Sequence, residues 1–177
     1  HKRFLHDDLQ RQGFRKKLAL VAETILKEVP GAAIASDQPY REYDLGIDFR
    51  EDVTPLAAEE VRLIKDIFKR MGAHAKISSI HVNGWFGDFD KLTTAKLWAQ
   101  ERLGVDLEDA RDRFAFCGDS PNDEPMFAFF PLSFGVANVR PFLDMIECHP
   151  ALITTREHGA GFCEITDLIL QARTLAR

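Results

Sequence analysis

The segment from Arg113 to Met126 constrains the fold of this chain more than any other. Phe114, Ala115, Phe116 and Cys117 put apolar side chains on both faces of a short strand, Arg113 to Cys117. A central parallel strand, covered on both sides, needs that two-sided apolarity. The strand runs directly into Gly118-Asp119-Ser120-Pro121-Asn122-Asp123. Ligands of open α/β sheets bind at such carboxyl ends of strands. Around this segment the pattern alternates. Lys91 to Leu103 reads as a helix stopped by Gly104, and Pro121 to Phe129 as a short helix. Ser133 to Val136 and Ala151 to Thr154 read as strands, and Gly161 to Leu170 as a closing helix. The alternation predicts a partial Rossmann-like layer: a parallel sheet with helices on both faces.

The first half follows a different grammar. After a dozen polar residues of low pattern, Phe14, Leu18, Val21, Ala22, Ile25 and Val29 recur at helical spacing, and Pro30-Gly31 ends the helix. Ala32 to Ser36 is a short strand. Leu45, Ile47 and Phe49 alternate with polar residues as in a half-buried strand. Thr54-Pro55 reads as an N-cap with Pro at the first helical position, and the following helix runs to Gly72. His74 to Val82 reads as a strand, and Asn83-Gly84 as a hairpin turn into Trp85-Phe86. The sum is α-β-β-α-β-β: an α+β unit, an antiparallel open-faced sheet with two helices on one face. The predicted boundary falls near Gly87-Asp88, dividing the chain into domains 1–87 and 88–177. The second domain supplies only about three strands, whereas open sheets carry ~4–6. With a first residue that is His rather than Met, this leads to the expectation that further strands lie upstream.

Composition excludes several classes of function. A formal net charge of -5 over 177 residues offers no basic field for nucleic acid or an anionic membrane. The longest apolar-looking stretch, Phe127 to Asn138, is interrupted by Pro131 and Gly135 and falls far short of the roughly 18 residues of a membrane span. Three cysteines are too few for a disulfide scaffold and point to a reducing compartment, the cytoplasm.

Two features carry chemistry. Asp119, Asn122 and Asp123 crowd oxygen donors onto one strand-to-helix turn, a hard cluster suited to Mg²⁺ with a substrate phosphate. The alternative is simple helix capping. Lys91 opens a helix, where a cation is mildly unfavourable, and an anion held between it and the helix amides would reverse that. The alternative is a solvated lysine paired with Asp88 or Asp90. Along the strand from His74, the residues Ala75, Ile77, Ser79, His81 and Asn83 share one predicted face, apolar at first and polar toward the hairpin. His81 and Asn83 could there bind sugar hydroxyls. Arg41 could contact an anion or hydroxyl, although a surface ion pair is the commoner fate. Gly159-Ala160-Gly161 serves a turn rather than a dinucleotide, Cys117 is core, and His149 and His158 are too scattered for zinc.

Lys91 followed by Gly118-Asp119-Ser120-Pro121-Asn122-Asp123, then Gly135-Val136-Ala137-Asn138, then Ile153-Thr154 with Gly159-Ala160-Gly161-Phe162, resembles the haloacid dehalogenase superfamily. The resemblance is to the subgroup with an inserted α/β cap that includes sucrose-phosphate phosphatase and Cof-type sugar-phosphate phosphatases. It implies a cap over 1–87, the C-terminal half of the core over 88–177, and Mg²⁺-dependent hydrolysis of a phosphate monoester such as a sugar phosphate. By the same resemblance, Asp119 binds Mg²⁺, Asp123 supports the metal or holds Lys91, Asn122 touches phosphate, and Lys91 neutralises the transferred phosphoryl group. The family's nucleophilic Asp-x-Asp motif is absent. Asp88-Phe89-Asp90 looks similar but follows no apolar strand and abuts Lys91. The expectation is therefore a nucleophile upstream and an inactive fragment. The rival reading is a non-catalytic binding or regulatory module.

Overall fold

The computed structural model describes residues 3–175 and divides into two compact units, His1–Asp88 and Phe89–Arg177. The first unit opens with α1 (Asp8–Glu28), whose start lies within the segment read as patternless. Asp7 caps it by accepting from the Gln10 amide at 2.8 Å, and the Gln10 side chain accepts from the Asp7 amide in return. Next come β1 (Ala33–Ile34), a 3₁₀ turn (Gln38–Tyr40), β2 (Asp44–Asp48), α2 (Ala58–Arg70), β3 (His74–Ile77) and β4 (His81–Trp85). Thr54-Pro55 does not start α2. The cap is Ala57, and Glu60 reaches back to its amide at 2.7 Å.

The four strands form an antiparallel sheet in the order β1-β2-β4-β3. One core joins Leu18, Val21 and Ile25 of α1, Ile64, Ile67 and Phe68 of α2, and Leu45, Ile47, Ala75, Ile77 and Val82 of the sheet. Both helices thus cover one face. The alternate residues Asp44, Gly46, Asp48, His74, Lys76, His81, Asn83 and Trp85 belong to the opposite face.

The hairpin turn differs from the sequence expectation. It lies at Ser78–Ile80, closed by Ser78 N donating to His81 O at 2.8 Å, and Asn83-Gly84 sits within β4. His81 and Asn83 therefore face away from Ala75 and Ile77 rather than sharing their side. The reason is packing: Gly84 lies against the ring of fully buried Phe68, with no room there for a Cβ. The glycine that reads locally as a turn is a site of close approach.

The second unit contains α3 (Lys91–Leu103), α4 (Leu107–Ala110), β5 (Ala115–Gly118), a 3₁₀ turn (Pro121–Asp123) leading into α5 (Glu124–Phe129), β6 (Leu132–Gly135), a 3₁₀ stretch (Ala137–Met145), β7 (Leu152–Ile153) and α6 (His158–Leu175). Gly104 ends α3 in the left-handed conformation, φ 65°. The strands are parallel, in the order β5-β6-β7. Phe116 packs with α3 and α5 residues, while its neighbour Cys117 packs with Ile165 and Ile169 of α6. Helices therefore lie on both faces of this sheet, giving the mixed α/β class with one parallel and one antiparallel sheet. Among the described residues no helix is long and apolar enough to cross a membrane.

Gly84→Ala should destabilise the first unit by about 1–3 kcal/mol, because the added methyl must displace the Phe68 ring. Urea denaturation followed by circular dichroism measures it, and a change within about 0.3 kcal/mol would contradict this packing.

Candidate functional site

The acidic turn is built around one buried carboxylate. Asp123 is 2% exposed. Its Oδ1 accepts from Lys91 Nζ, and its Oδ2 accepts from the amides of Asp119 at 2.9 Å and Ser120 at 3.3 Å. Burying a carboxylate is costly unless hydrogen bonds and an opposite charge compensate it, and here both do. Gly118 makes the geometry possible, since a Cβ there would lie 2.5 Å from Asp123 Oδ2.

With both oxygens of Asp123 engaged, Asp119 is the acid left over. It is half-buried, and its Oδ1 lies 3.1 Å from the Ser120 hydroxyl. It takes no helix amide, so capping does not account for it. Asn122 Oδ1 accepts from Lys91 Nζ at 3.3 Å and stands 3.1 Å from Ser120 Oγ. Because the lysine can only donate, the amide is held oxygen-inward and presents its NH₂ outward. Lys91, Asp119, Asn122 and Asp123 thus meet at the end of β5. Sequence reasoning singled out these four and weighed Ser120 only as part of the capping alternative; its hydroxyl lies between Asp119 and Asn122.

The following loops fasten to the same sheet edge. Val136 N donates to Gly118 O at 3.0 Å, and Thr154 N donates to Gly135 O at 2.9 Å. Thr154 is fully buried; its hydroxyl accepts from Ala137 N at 3.1 Å and donates to Arg156 O at 2.7 Å. Asn138 accepts from His158 N at 2.7 Å at the start of α6. These residues shape the edge. Asp90 caps α3 through the Thr93 amide at 2.7 Å. Burial, with Asp123 and Asp119 nearby, pushes the Cys117 thiol up, away from nucleophilic character.

The donor set can be tested against Mg²⁺. It is all oxygen, but only Asp119 keeps an uncommitted carboxylate oxygen, so the turn fits one protein ligand of an ion completed by water, phosphate and other groups. The trio of metal-type donors among the described residues lies elsewhere, at Asp48, Glu51 and His81 in the first unit. Arg41 donates toward His81 Nδ1 at 3.3 Å, which places the imidazole proton on Nε2 and removes that atom as a ligand. Nε2 lies 2.8 Å from Glu51 Oε2, off the line of a hydrogen bond.

Arg41, His81 and Asn83 form one network on the open face of the first unit. Gly46 leaves the space for the Arg41 side chain, which a Cβ would approach to 3.0 Å. The guanidinium donates to Asp37 at 2.7 Å, Asp44 at 2.5 Å and Asn83 Oδ1 at 3.1 Å. Sequence reasoning missed Asp37 and Asp44, whose i−4 and i+3 spacing from Arg41 was the available signal. Burial alone would lower the Arg41 pKa, but the two carboxylates outweigh it and raise it. Burial alone would also raise the Asp48 carboxyl. The amides of Glu51, Asp52 and Arg50 outweigh it and hold the group below its ordinary value.

No protein-family model matches this sequence, and no curated protein matches it. Solved structures do. A protein of Thermoplasma acidophilum, 0175, is 20% identical with a TM-score of 0.57, over 94% of this chain and 63% of its own. SMU.1108c of Streptococcus mutans is 16% identical with a TM-score of 0.59, over 89% of this chain and 68% of its own. The sucrose-phosphatase of Synechocystis, solved with sucrose and phosphate, is 15% identical with a TM-score of 0.53, over 89% of this chain and 65% of its own. The chain spans about two thirds of each, and the likeness is one of fold.

Two outcomes follow from this geometry. Asp123→Ala should cost about 3 kcal/mol in urea denaturation, because it strands two amides and the Lys91 charge, whereas Asp119→Ala should stay within about 0.5 kcal/mol; equal costs would return Asp119 to a capping role. For Asp48, a lowered folded-state pKa means a stabilisation that is complete above the unfolded value of about 3.9 and fades as pH falls through the folded value. The stability gap between the parent and Asp48→Asn should therefore be widest near neutrality and shrink below about pH 4. A gap that is flat across that range would contradict it.

Proposed function

We propose that the chain, which shares the fold of these structural neighbours, forms the C-terminal half of the core and the cap of a haloacid dehalogenase-type hydrolase of phosphate monoesters. In this reading residues 88–177 belong to the core and residues 1–87 are the cap. The observation that carries it is the pairing of an ammonium, Lys91, with a carboxylate that has no structural employment, Asp119, joined through Asp123 and Asn122 at the carboxyl edge of a parallel sheet.

Each residue has a definite task. Lys91, oriented by Asp123, neutralises charge on the transferred phosphoryl group, and electrostatic stabilisation of this kind is the main work in phosphoryl transfer. Asn122 donates its outward NH₂ to a phosphoryl oxygen. Asp119 would hold Mg²⁺, which when bound supplies further charge neutralisation on the phosphate. Asp123, which by resemblance would support the metal or hold Lys91, here acts through Lys91 and the turn. The attacking group is an aspartate outside these 177 residues. It forms an aspartyl phosphate with loss of the alcohol, and water then hydrolyses that intermediate. The outer edge of β5 supports this: apolar on both faces, the strand is only half-buried along Phe116–Gly118, as expected of one that takes a further neighbour.

The substrate we propose is a sugar phosphate, as the neighbour solved with sucrose and phosphate suggests, with His81 and Asn83 on the cap face as substrate contacts. Arg41, neutralised by two aspartates, positions Asn83 and His81 rather than binding phosphate itself. In the intact protein, Lys91→Ala and Asp119→Ala should each lower phosphate release from sugar phosphates by about 10²–10³-fold, and chelation of divalent ions should abolish it. Activity within a few-fold of the parent in both variants would leave a non-catalytic module as the better description.

A further inference from the structure

We propose that Lys76 and Asn83, neighbours across β3 and β4, bind an anionic group, and that the substrate of the hydrolase proposed above carries such a group besides the phosphate it loses. The second half of this rests on the proposed function; the first stands without it.

The antiparallel register places Lys76 directly opposite Asn83 on the open face of the first unit's sheet. Residues so paired hold their Cβ atoms about 4.5–5.5 Å apart. Arg41 of that face is paired with Asp37 and Asp44, Asp48 is held by three amides, and Glu51 lies beside His81; none of these groups pairs with Lys76. Lys76 is half-buried and, among the described residues, has no hydrogen-bond or ion-pair partner. A cation sheltered in this way and left without a counter-charge is where an anion gains most.

Asn83 fixes which ligand is accepted. Arg41, which can only donate, takes Asn83 Oδ1 at 3.1 Å. The amide is thereby turned so that its NH₂, not its oxygen, is presented. Lys76 contributes an ammonium, also donor-only. The pair therefore offers donors and no acceptor. A neutral hydroxyl can use one such donor, but a carboxylate or phosphate, acceptor-only and charged, uses both.

The test is a ¹⁵N NMR titration of the 177-residue chain with malonate and, separately, inorganic phosphate at constant ionic strength, reading the Asn83 side-chain NH₂ signals, assigned with N83A. A saturable shift is expected, weakened by about tenfold or more in K76Q and unchanged in D119A. Response to malonate alone assigns a carboxylate, and response to phosphate alone a second phosphate. Absence of a saturable shift with either anion, or K76Q binding as well as the parent, overturns the site. So would K76Q self-associating in light scattering with anion binding unchanged, since Lys76 would then only guard an edge strand. In the active intact protein, K76Q should raise KM for 6-phosphogluconate about tenfold relative to sorbitol 6-phosphate, which carries a hydroxymethyl in place of the carboxylate. Equal effects on both would overturn the substrate half. An intact protein that hydrolyses neither, with the Asn83 shift retained, would remove the hydrolase reading and leave the anion site standing.

Discussion

The second unit depends on a charge placed where charges are costly. Asp123 is buried, and its carboxylate is tolerated because Lys91 and the amides of Asp119 and Ser120 surround it. That one compensation sets the rest of the turn. It requires a bare backbone at Gly118, binds the start of α3 to the end of β5, and leaves Asp119 as a carboxylate without structural duty. The groups at the end of β5 are thereby held in place by Asp123, both of whose carboxylate oxygens are engaged.

The first unit uses the same device with the signs exchanged. Arg41 lies over Gly46, and its guanidinium orders the acceptors around it: Asp37, Asp44, Asn83 Oδ1 and His81 Nδ1. A donor-only group settles the orientation of an amide and the tautomer of an imidazole that would otherwise be ambiguous. In both units, what is offered outward follows from what a buried charge has already claimed: the NH₂ of Asn122 and of Asn83, and the open oxygen of Asp119.

The two units differ in how far they could be read from the chain. In the second, α3 ran from Lys91 to Leu103 in both sequence and structure, since its limits are local: the Asp90 cap and left-handed Gly104. The parallel layer followed from two-sided apolarity around Phe116, which packs on one face while Cys117 packs on the other. In the first, the alternation of Leu45, Ile47 and Phe49 located β2. The hairpin was misplaced because Asn83-Gly84 has the local chemistry of a turn, whereas Phe68, distant in the chain, is what requires that glycine.

The amino-acid sequence by itself determined the two kinds of sheet, the helices that cover them, and the residues at the end of β5 where charge gathers, because periodicity, caps and composition act over a few neighbouring positions. The tertiary structure decided which of two similar aspartates is structural and which is left open, which face His81 and Asn83 occupy, and which way each amide points. Those are settled by partners some thirty or forty residues away, as Lys91 is from Asp123 and Arg41 from Asn83, and the cost of burying an unpaired polar group enforces the choice only once the chain has closed around it.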